Sequence, residues 1–207
     1  MLPKLRNILV SFANERYSQS QKRLGASALL YGFDEVRQFG PKDLSTSFLQ
    51  KHDRILKQKR GCGFWIWKSY IIKKVLDPVN DSDVVFYADS GCEFVEDFAP
   101  IFNLVRAEEK GVLAFDLPGP HYEKHWTKRD LFIAMGLDRP EFSEGRQIQG
   151  GFSGWRKTNF AQFLLNEWRY WCCKDELVTD KPSVMPNYEG FREHRHDQSV
   201  WSLLCRK

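Results

Sequence analysis

Several familiar signals are missing from this sequence, and each absence removes a class of function. No apolar run approaches membrane-spanning length, so no membrane span is expected and any membrane association is peripheral. Cysteine is sparse and unpatterned. There are five, an odd number, with no CxxC, and the adjacent Cys172 and Cys173 are poorly spaced for a metal or a disulfide. Reduced thiols and a cytoplasmic location (host or bacterial cytosol) are the expectation. Positive charge is mild, at a formal net +4. Its densest stretch, with Lys51, Arg54, Lys57, Lys59 and Arg60, is thinner than a nucleic-acid footprint. That stretch reads either as a solvated helix face or as a phosphate contact. Walker A, GxGxxG and HExxH patterns are all missing, as are internal repeats and low-complexity tracts. The opening Met1-Leu2-Pro3-Lys4 has no signal-peptide pattern, and the chain stops at Leu203–Lys207 inside an apparent helix. A domain excised from something longer is therefore expected.

What remains is a chain of 207 residues, 42% hydrophobic, with charges well mixed, which suits one α/β domain. Lys4 to Phe12 reads as a first strand, Ser20 to Tyr31 as a helix capped by Gly32, and Phe33 to Phe39 as a second strand. This is a βαβ unit whose crossover is expected to be right-handed. Ser45 to Leu56 reads as a helix, Gly61-Cys62-Gly63 as an interruption, and Trp65 to Leu76 as a helix with Ile66, Tyr70, Ile71 and Leu76 inward. Asn80 to Asp83 is a turn, and 83–88 is a central strand with apolar residues on both faces. A helix over Phe98 to Lys110, capped by Gly111, leads to a strand over Val112 to Phe115. Thr127 is the expected N-cap of a helix over 128–135. Gln147 to Trp155 reads as a glycine-interrupted strand and Thr158 to Trp171 as a helix. Lys174 to Gly190 is a loop, and Glu193 to Leu204 ends as a helix. The first 115 residues have the regular steps of a nucleotide-binding layer, and 116–207 the irregularity of an acceptor side with catalytic groups.

Four stretches can carry chemistry. Arg60-Gly61-Cys62-Gly63-Phe64-Trp65-Ile66-Trp67-Lys68 places two glycines between two cations at a helix start, which is either a diphosphate cradle or a tight turn with core tryptophans. Tyr87-Ala88-Asp89-Ser90-Gly91 puts a carboxylate just past the carboxyl end of the central strand, the edge at which open α/β sheets bind ligands. Asp89 there either holds a ribose hydroxyl or divalent cation, or caps the turn. The stretch from Gln147 to Arg156, with paired glycines Gly150 and Gly151, allows close approach of a ligand, with the Gln149 amide toward a sugar hydroxyl, or marks a bend. Glu193-His194-Arg195-His196-Asp197-Gln198 is the densest cluster of functional groups: a metal or phosphate site with a base or sugar anchor, or else a helix cap with solvated histidines. Asp116 and Glu123 are reserve carboxylates, more readily taken as solvated loop charges. His121, Tyr122, His125 and Trp126 offer rings for stacking or packing.

Together these stretches resemble the GT-A nucleotide-sugar glycosyltransferases, in particular a bacterial and large-virus branch with GxGxWxWK, YxDxG and HRHDQS segments. The resemblance runs from the first strand to residue 200. It implies a GT-A-like, Rossmann-type nucleotide-binding mixed sheet flanked by helices. It also implies an enzyme that moves a hexosyl or deoxyhexosyl group from a UDP-linked donor to a hydroxyl of a glycan or glycoconjugate, as in polysaccharide biosynthesis. By this likeness Ser11, Phe12, Ala13 and Asn14 line the base and ribose, and Arg60 and Lys68 approach the diphosphate. Asp89 stands at the first Asp of the family's DxD motif. Gln149, Gly150 and Gly151 lie beneath the donor sugar, beside Asp197 and Gln198. Gly91 stands where the motif's second Asp belongs. The implied cofactor is a divalent cation, Mn²⁺, held by Asp89 and the diphosphate with His196 or Glu93, or replaced in part by Arg60 and Lys68. Asp197 is the base of an inverting reaction, or with Gln198 positions the donor of a retaining one. Two other readings are a non-catalytic nucleotide- or glycan-binding module, and a metal-dependent hydrolase built on His194, His196 and Asp197.

Overall fold

The computed structural model describes residues 5–207. Five strands form one mixed sheet in the order β2-β1-β3-β5-β4. They are β1 (Asn7–Phe12), β2 (Glu35–Phe39), β3 (Val84–Ala88), β4 (Val112–Leu113) and β5 (Phe152–Arg156). β1 runs parallel to β2 and β3, whereas β5 is antiparallel to both β3 and β4. The chain divides into two compact units. The first holds the chain up to Leu49, Trp67–Leu113 and Gly151–Leu165, and therefore the whole sheet. The second holds Gln50–Ile66, Ala114–Gly150 and Asn166–Lys207.

In the first unit the expected central strand is central, and every residue of β3 is buried. Its alternation serves two faces. Phe86 joins an aromatic cluster, 4.8 Å from Phe98, whose ring in turn lies 4.8 Å from Phe94 and 5.3 Å from Phe102. Tyr87 points to the other face, toward the Trp67–Leu76 helix, where Lys68 Nζ lies 5.2 Å from its ring centroid. On that face Phe12 and Trp67 stack at 3.8 Å. Each such ring contributes roughly 1.5–3 kcal/mol by leaving water. The start of β3 is fixed by Asp83, fully buried, which accepts from the Arg6 backbone N–H (3.0 Å), its Nη2 (2.7 Å) and the Asn80 N–H (3.2 Å). Burial alone raises a carboxyl pKa, but here the Arg6 bonds outweigh it and hold Asp83 below its usual range.

Local differences from the sequence reading have identifiable causes. Lys4, where the first strand was expected to begin, lies outside the described residues. Gly32 adopts φ +100° just after the Ser18–Leu30 helix, as its terminating role requires. The helix expected over Phe98 to Lys110 spans Ala99–Ala107 with Glu108 as its C-cap, so Gly111 (φ +73°) does not cap it; its N–H closes a turn on the Glu108 carbonyl at 2.9 Å. The expected Ser45–Leu56 helix is two pieces, Thr46–Lys51 and Asp53–Leu56, separated at His52. The glycine-interrupted strand becomes regular only at Phe152, after Gly150 and Gly151. Thr158 does begin its helix: its hydroxyl accepts the Ala161 N–H at 3.0 Å. Thr127 does not cap its helix, which starts at Arg129 after Lys128; its hydroxyl instead donates to Glu123 at 2.8 Å.

The second unit packs Trp168 on Trp201, 4.8 Å apart, against the nearly buried His196–Arg206 helix. Its least ordinary segment is Gly61–Trp65. Gly61, Cys62, Gly63, Phe64 and Trp65 all have positive φ, so the chain makes a left-handed turn. Three of the five are not glycine, and each costs on the order of 1–2 kcal/mol in that region. The turn survives because it is locked from outside. At Gly63 (φ +93°) an added Cβ would stand 2.7 Å from Leu56 Cα. Gly63→Ala is therefore expected to destabilise the fold by about 2–4 kcal/mol, since both the dihedral and the backbone contact must give. A thermal melt indistinguishable from the parent would refute this account of the turn.

Candidate functional site

In the first unit, Asp89 follows β3 directly, and its N–H donates to the Gly151 carbonyl at 2.8 Å. Its side chain is 43% exposed, whereas that of Lys68 is 4% exposed; Lys68 Nζ stands 3.7 Å from Asp89 Oδ1. The Tyr87 hydroxyl donates to the same oxygen at 2.5 Å. The carboxylate is thus oriented by two groups beneath it and remains open to solvent. Gly151 keeps the space above it clear, because a Cβ there would sit 3.3 Å from Asp89 Oδ2. Gly91 is exposed, lies outside the positive-φ set, and has nothing within 4 Å of an added Cβ. Glu93, the alternative ligand in the sequence reading, pairs with Arg23 at 3.4 Å.

The end of β1 is more enclosed than a ligand-lining loop needs. Ser11, Phe12 and Ala13 are buried, and Ser11 Oγ accepts from Gln21 at 3.2 Å. Asn14 is half-buried and is the member of the stretch that reaches the surface.

The other sequence-selected residues lie in the second unit. Arg60 precedes the left-handed turn and donates to Asp180 Oδ1 and Glu193 Oε2, each at 3.2 Å. Its charge is already matched by carboxylates, whereas Lys68 belongs to the other unit. His194 and His196 are buried, at 6% and 1% exposure, contrary to the solvated histidines that a simple cap would show. The His196 Nδ1–H donates to the Val178 carbonyl at 2.7 Å, which leaves Nε2 as the acceptor, 3.5 Å from Asp180 Oδ1. Burial lowers the pKa of His196 despite that carbonyl and carboxylate. His194 lies well below its ordinary value, chiefly from burial and then from His196 and Lys128. Its Nδ1 accepts the Lys128 N–H at 3.3 Å. His196 also has positive φ, at 50°, and its ring lies 4.7 Å from Phe64 of the left-handed turn. Strain thus accumulates at contacting positions. Beside them is a cleft of about 350 Å³ lined by Arg54, Phe64, Asp175, Asp180 and Lys181, among others.

Asp197 is 3% exposed and its carbonyl accepts from Trp168 Nε1 at 3.1 Å. The cap of the last helix is Arg195, so Asp197 is not there as the cap. Gln198 is half-buried and donates to Gln147 Oε1 at 3.1 Å. Gly150 makes room for it: a Cβ would meet Gln198 Cβ at 2.8 Å. Gln149 is half-buried, with its N–H on the Phe115 carbonyl at 2.7 Å. Trp126 is not open for stacking on a sugar, because the Arg195 guanidinium covers its ring at 3.8 Å. Of the reserve carboxylates, Asp116 pairs with Arg146 (3.1 Å) and Arg206 (2.9 Å). Glu123 is no solvated loop charge; it is fully buried.

Among the described residues no three His, Cys, Asp or Glu side chains form a metal-binding group. The hydrolase centre of His194, His196 and Asp197 is therefore not assembled: each histidine has one ring nitrogen committed to the backbone, and their ring centroids stand 5.4 Å apart. Among the described residues, no helix is long and apolar enough to cross a membrane.

The sequence reading gave Gln147, at the head of its glycine-interrupted stretch, no role of its own, and missed the burial of Glu123. Thr127 is four residues from Glu123, but the other partners lie 20 to 79 residues away, so little in the local sequence marks either residue.

Comparison with known proteins agrees with this architecture. No protein-family model matches the chain, and no curated protein does. The apo structure of WbbM, a bifunctional glycosyltransferase, matches with a TM-score of 0.57 at 10% identity, over 99% of this chain and 38% of that one. The chain thus spans well under half the length of that protein. Mouse xyloside xylosyltransferase 1, in apo form, gives 0.48 at 11% identity, over 97% and 81% of the two chains. The galactosyltransferase LgtC, in complex with donor and acceptor sugar analogues, gives 0.43 at 15% identity, over 95% and 70%. At these identities a likeness speaks for architecture alone, and the first match carries it. The open mixed sheet flanked by helices is a GT-A-like glycosyltransferase fold.

Proposed function

We propose that this protein is a nucleotide-sugar glycosyltransferase. It moves a hexosyl or deoxyhexosyl group from a nucleoside diphosphate, UDP by preference, to a hydroxyl of a glycan or glycoconjugate. The observation that carries the reading is Asp89: a half-exposed carboxylate at the carboxyl end of the central strand, oriented by Tyr87 and backed by the buried ammonium of Lys68. A carboxylate and a cation side by side suit the ribose hydroxyls and the diphosphate of such a donor.

A divalent cation fits these residues in a limited way. No cage of protein ligands is present among the described residues, so the fit is to an ion that takes Asp89 as its protein ligand and its other ligands from phosphate and water. His196, in the second unit, has the tautomer of a metal-ligating histidine, with Nδ1–H on a carbonyl. When bound, Mn²⁺ would offset the charge that builds on the departing diphosphate. Lys68 contributes a fixed positive charge to the same end. Gln198 is the group in the second unit that we assign to the donor sugar, through its side-chain amide. The burial of Asp197 favours a positioning role over that of a base that meets the acceptor.

A second reading, a module that binds nucleotide without turnover, is favoured by one observation: Gly91 stands where a second carboxylate is expected. Calorimetric titration with UDP and a panel of UDP-sugars, with and without Mn²⁺, alongside an assay for donor hydrolysis, separates the two. Binding with slow donor hydrolysis is the expected result. Binding without any hydrolysis points to the module, and no nucleotide binding at all removes both.

A further inference from the structure

Glu123 cannot meet a substrate, yet it stands at the head of a chain of side chains that ends on Gln198. Glu123, Thr127, Gln147 and Ser202 are all fully buried. Glu123 Oε2 accepts from Thr127 Oγ1 (2.8 Å) and from Gln147 Nε2 (3.1 Å), and its Oε1 accepts from the Ser202 hydroxyl. Gln147 Oε1 in turn accepts from Arg195 Nη1 (3.3 Å) and Gln198 Nε2 (3.1 Å). The polarity of this chain is not arbitrary. An ionised carboxylate only accepts and a guanidinium only donates. Gln147 sits between the two, so its NH₂ must face Glu123 and its oxygen must face Arg195. Gln198 then has to present its NH₂ to Gln147, and its own oxygen is left for another partner. Arg195 is held in place by the Trp126 ring at 3.8 Å.

We propose that Glu123 is a positioning residue: through Gln147 it fixes which end of the Gln198 amide faces Gln147, and so leaves the Gln198 oxygen to accept a hydroxyl of the donor sugar. The assignment of that hydroxyl rests on the glycosyltransferase reading; the relay itself does not.

The relay has a built-in sensitivity to pH. Burial raises the Glu123 carboxyl to about 7, against the three hydrogen bonds it accepts. The charged and titratable groups acting with it are Arg206 and Cys205 of the last helix and Arg195 at its start. Arg206 favours the ionised form, and Glu123 adds to the upward push of burial on the Cys205 thiol. Protonation turns one carboxyl oxygen into a donor. If Gln147 then reverses, its NH₂ meets the donor-only Arg195, and the order of the chain is lost.

The test uses two measurements on the full chain. In NMR of the wild-type protein, the side-chain amide signals of Gln147 and Gln198 are expected to move together with a midpoint near pH 7, and to stay flat in Glu123→Gln. In donor hydrolysis with a UDP-sugar, kcat is expected to rise through the same midpoint with KM little changed. Glu123→Gln should lower kcat about 10- to 100-fold and erase that limb. Should Glu123→Gln fail to fold, the wild-type titration still decides. Amide signals that ignore pH between 5 and 9, or a kcat limb that persists unchanged in Glu123→Gln, would overturn the proposal. If the amides titrate but no UDP-sugar is hydrolysed, the relay stands and the glycosyltransferase reading falls.

Discussion

Asp89→Ala is expected to lower turnover of the nucleotide-sugar donor by about 100- to 1,000-fold, the range seen when one preorganised electrostatic group is removed from a charged transition state. Two features make the loss selective for function. The side chain is 43% exposed, so little buried surface goes with it. The backbone bond from Asp89 N to the Gly151 carbonyl, 2.8 Å, does not depend on the carboxylate. The structural cost is then confined to the Tyr87 hydroxyl, which loses an acceptor at 2.5 Å, and to Lys68, which loses a carboxylate at 3.7 Å. About 1.5–3 kcal/mol covers a hydrogen bond to a charged group of this kind. The substitution should therefore leave a folded protein that binds UDP poorly in calorimetry, with or without Mn²⁺. Asp89→Asn keeps the size and the acceptor for Tyr87 but drops the charge. If both variants bind UDP and turn over donor like the parent, Asp89 is not the donor-binding group.

Asp89 was legible in the sequence because its signal is local. A short β-branched and aromatic run, a carboxylate, then a glycine need no distant information to be read as the end of a buried strand. The same holds for Gly32, whose positive φ after the Ser18–Leu30 helix the sequence pattern anticipated. The left-handed turn was only half legible. Gly61 and Gly63 announce a special backbone, but Cys62, Phe64 and Trp65 argue against it, and it is the contact with Leu56 that settles the matter. The histidines were left between two readings, a metal or phosphate site and a cap with solvated rings, and distant partners decide against the second. Solvated rings are ruled out only by the Lys128 N–H and the Val178 carbonyl, which lie elsewhere in the chain and are brought to the two histidines by the fold. Glu123 is the extreme case. Locally it is one more charge in an irregular region, and its burial depends on Gln147, 24 residues away, and Ser202, 79 residues away. What sequence reasoning lacks is the partner that makes a buried polar group tolerable.

Gly91→Asp is expected to convert a weak dependence on divalent cation into a strong one. The position has room: nothing lies within 4 Å of an added Cβ, and the backbone is outside the positive-φ set. A new carboxylate there costs little in packing and stands two residues beyond Asp89, the spacing of a DxD pair. At about 5 Å from a doubly charged ion, an added unit charge in water-like surroundings contributes roughly 1.7 kcal/mol, more than tenfold in affinity. Mn²⁺ should therefore tighten about tenfold or more in the presence of UDP, with a gain that shrinks as salt is raised. Without metal, the two carboxylates repel, so metal-free donor binding should weaken. Gly91→Asn has nearly the same shape and no charge, and should behave like the parent. If Asp and Asn at this position give the same Mn²⁺ affinity, the open space at Gly91 does not face the ion, and Asp89 binds its donor through Lys68 and hydrogen bonds alone. If they differ as expected, the glycine marks a site at which a carboxylate is missing, and the buried lysine supplies part of the positive charge that a more tightly held cation would have brought.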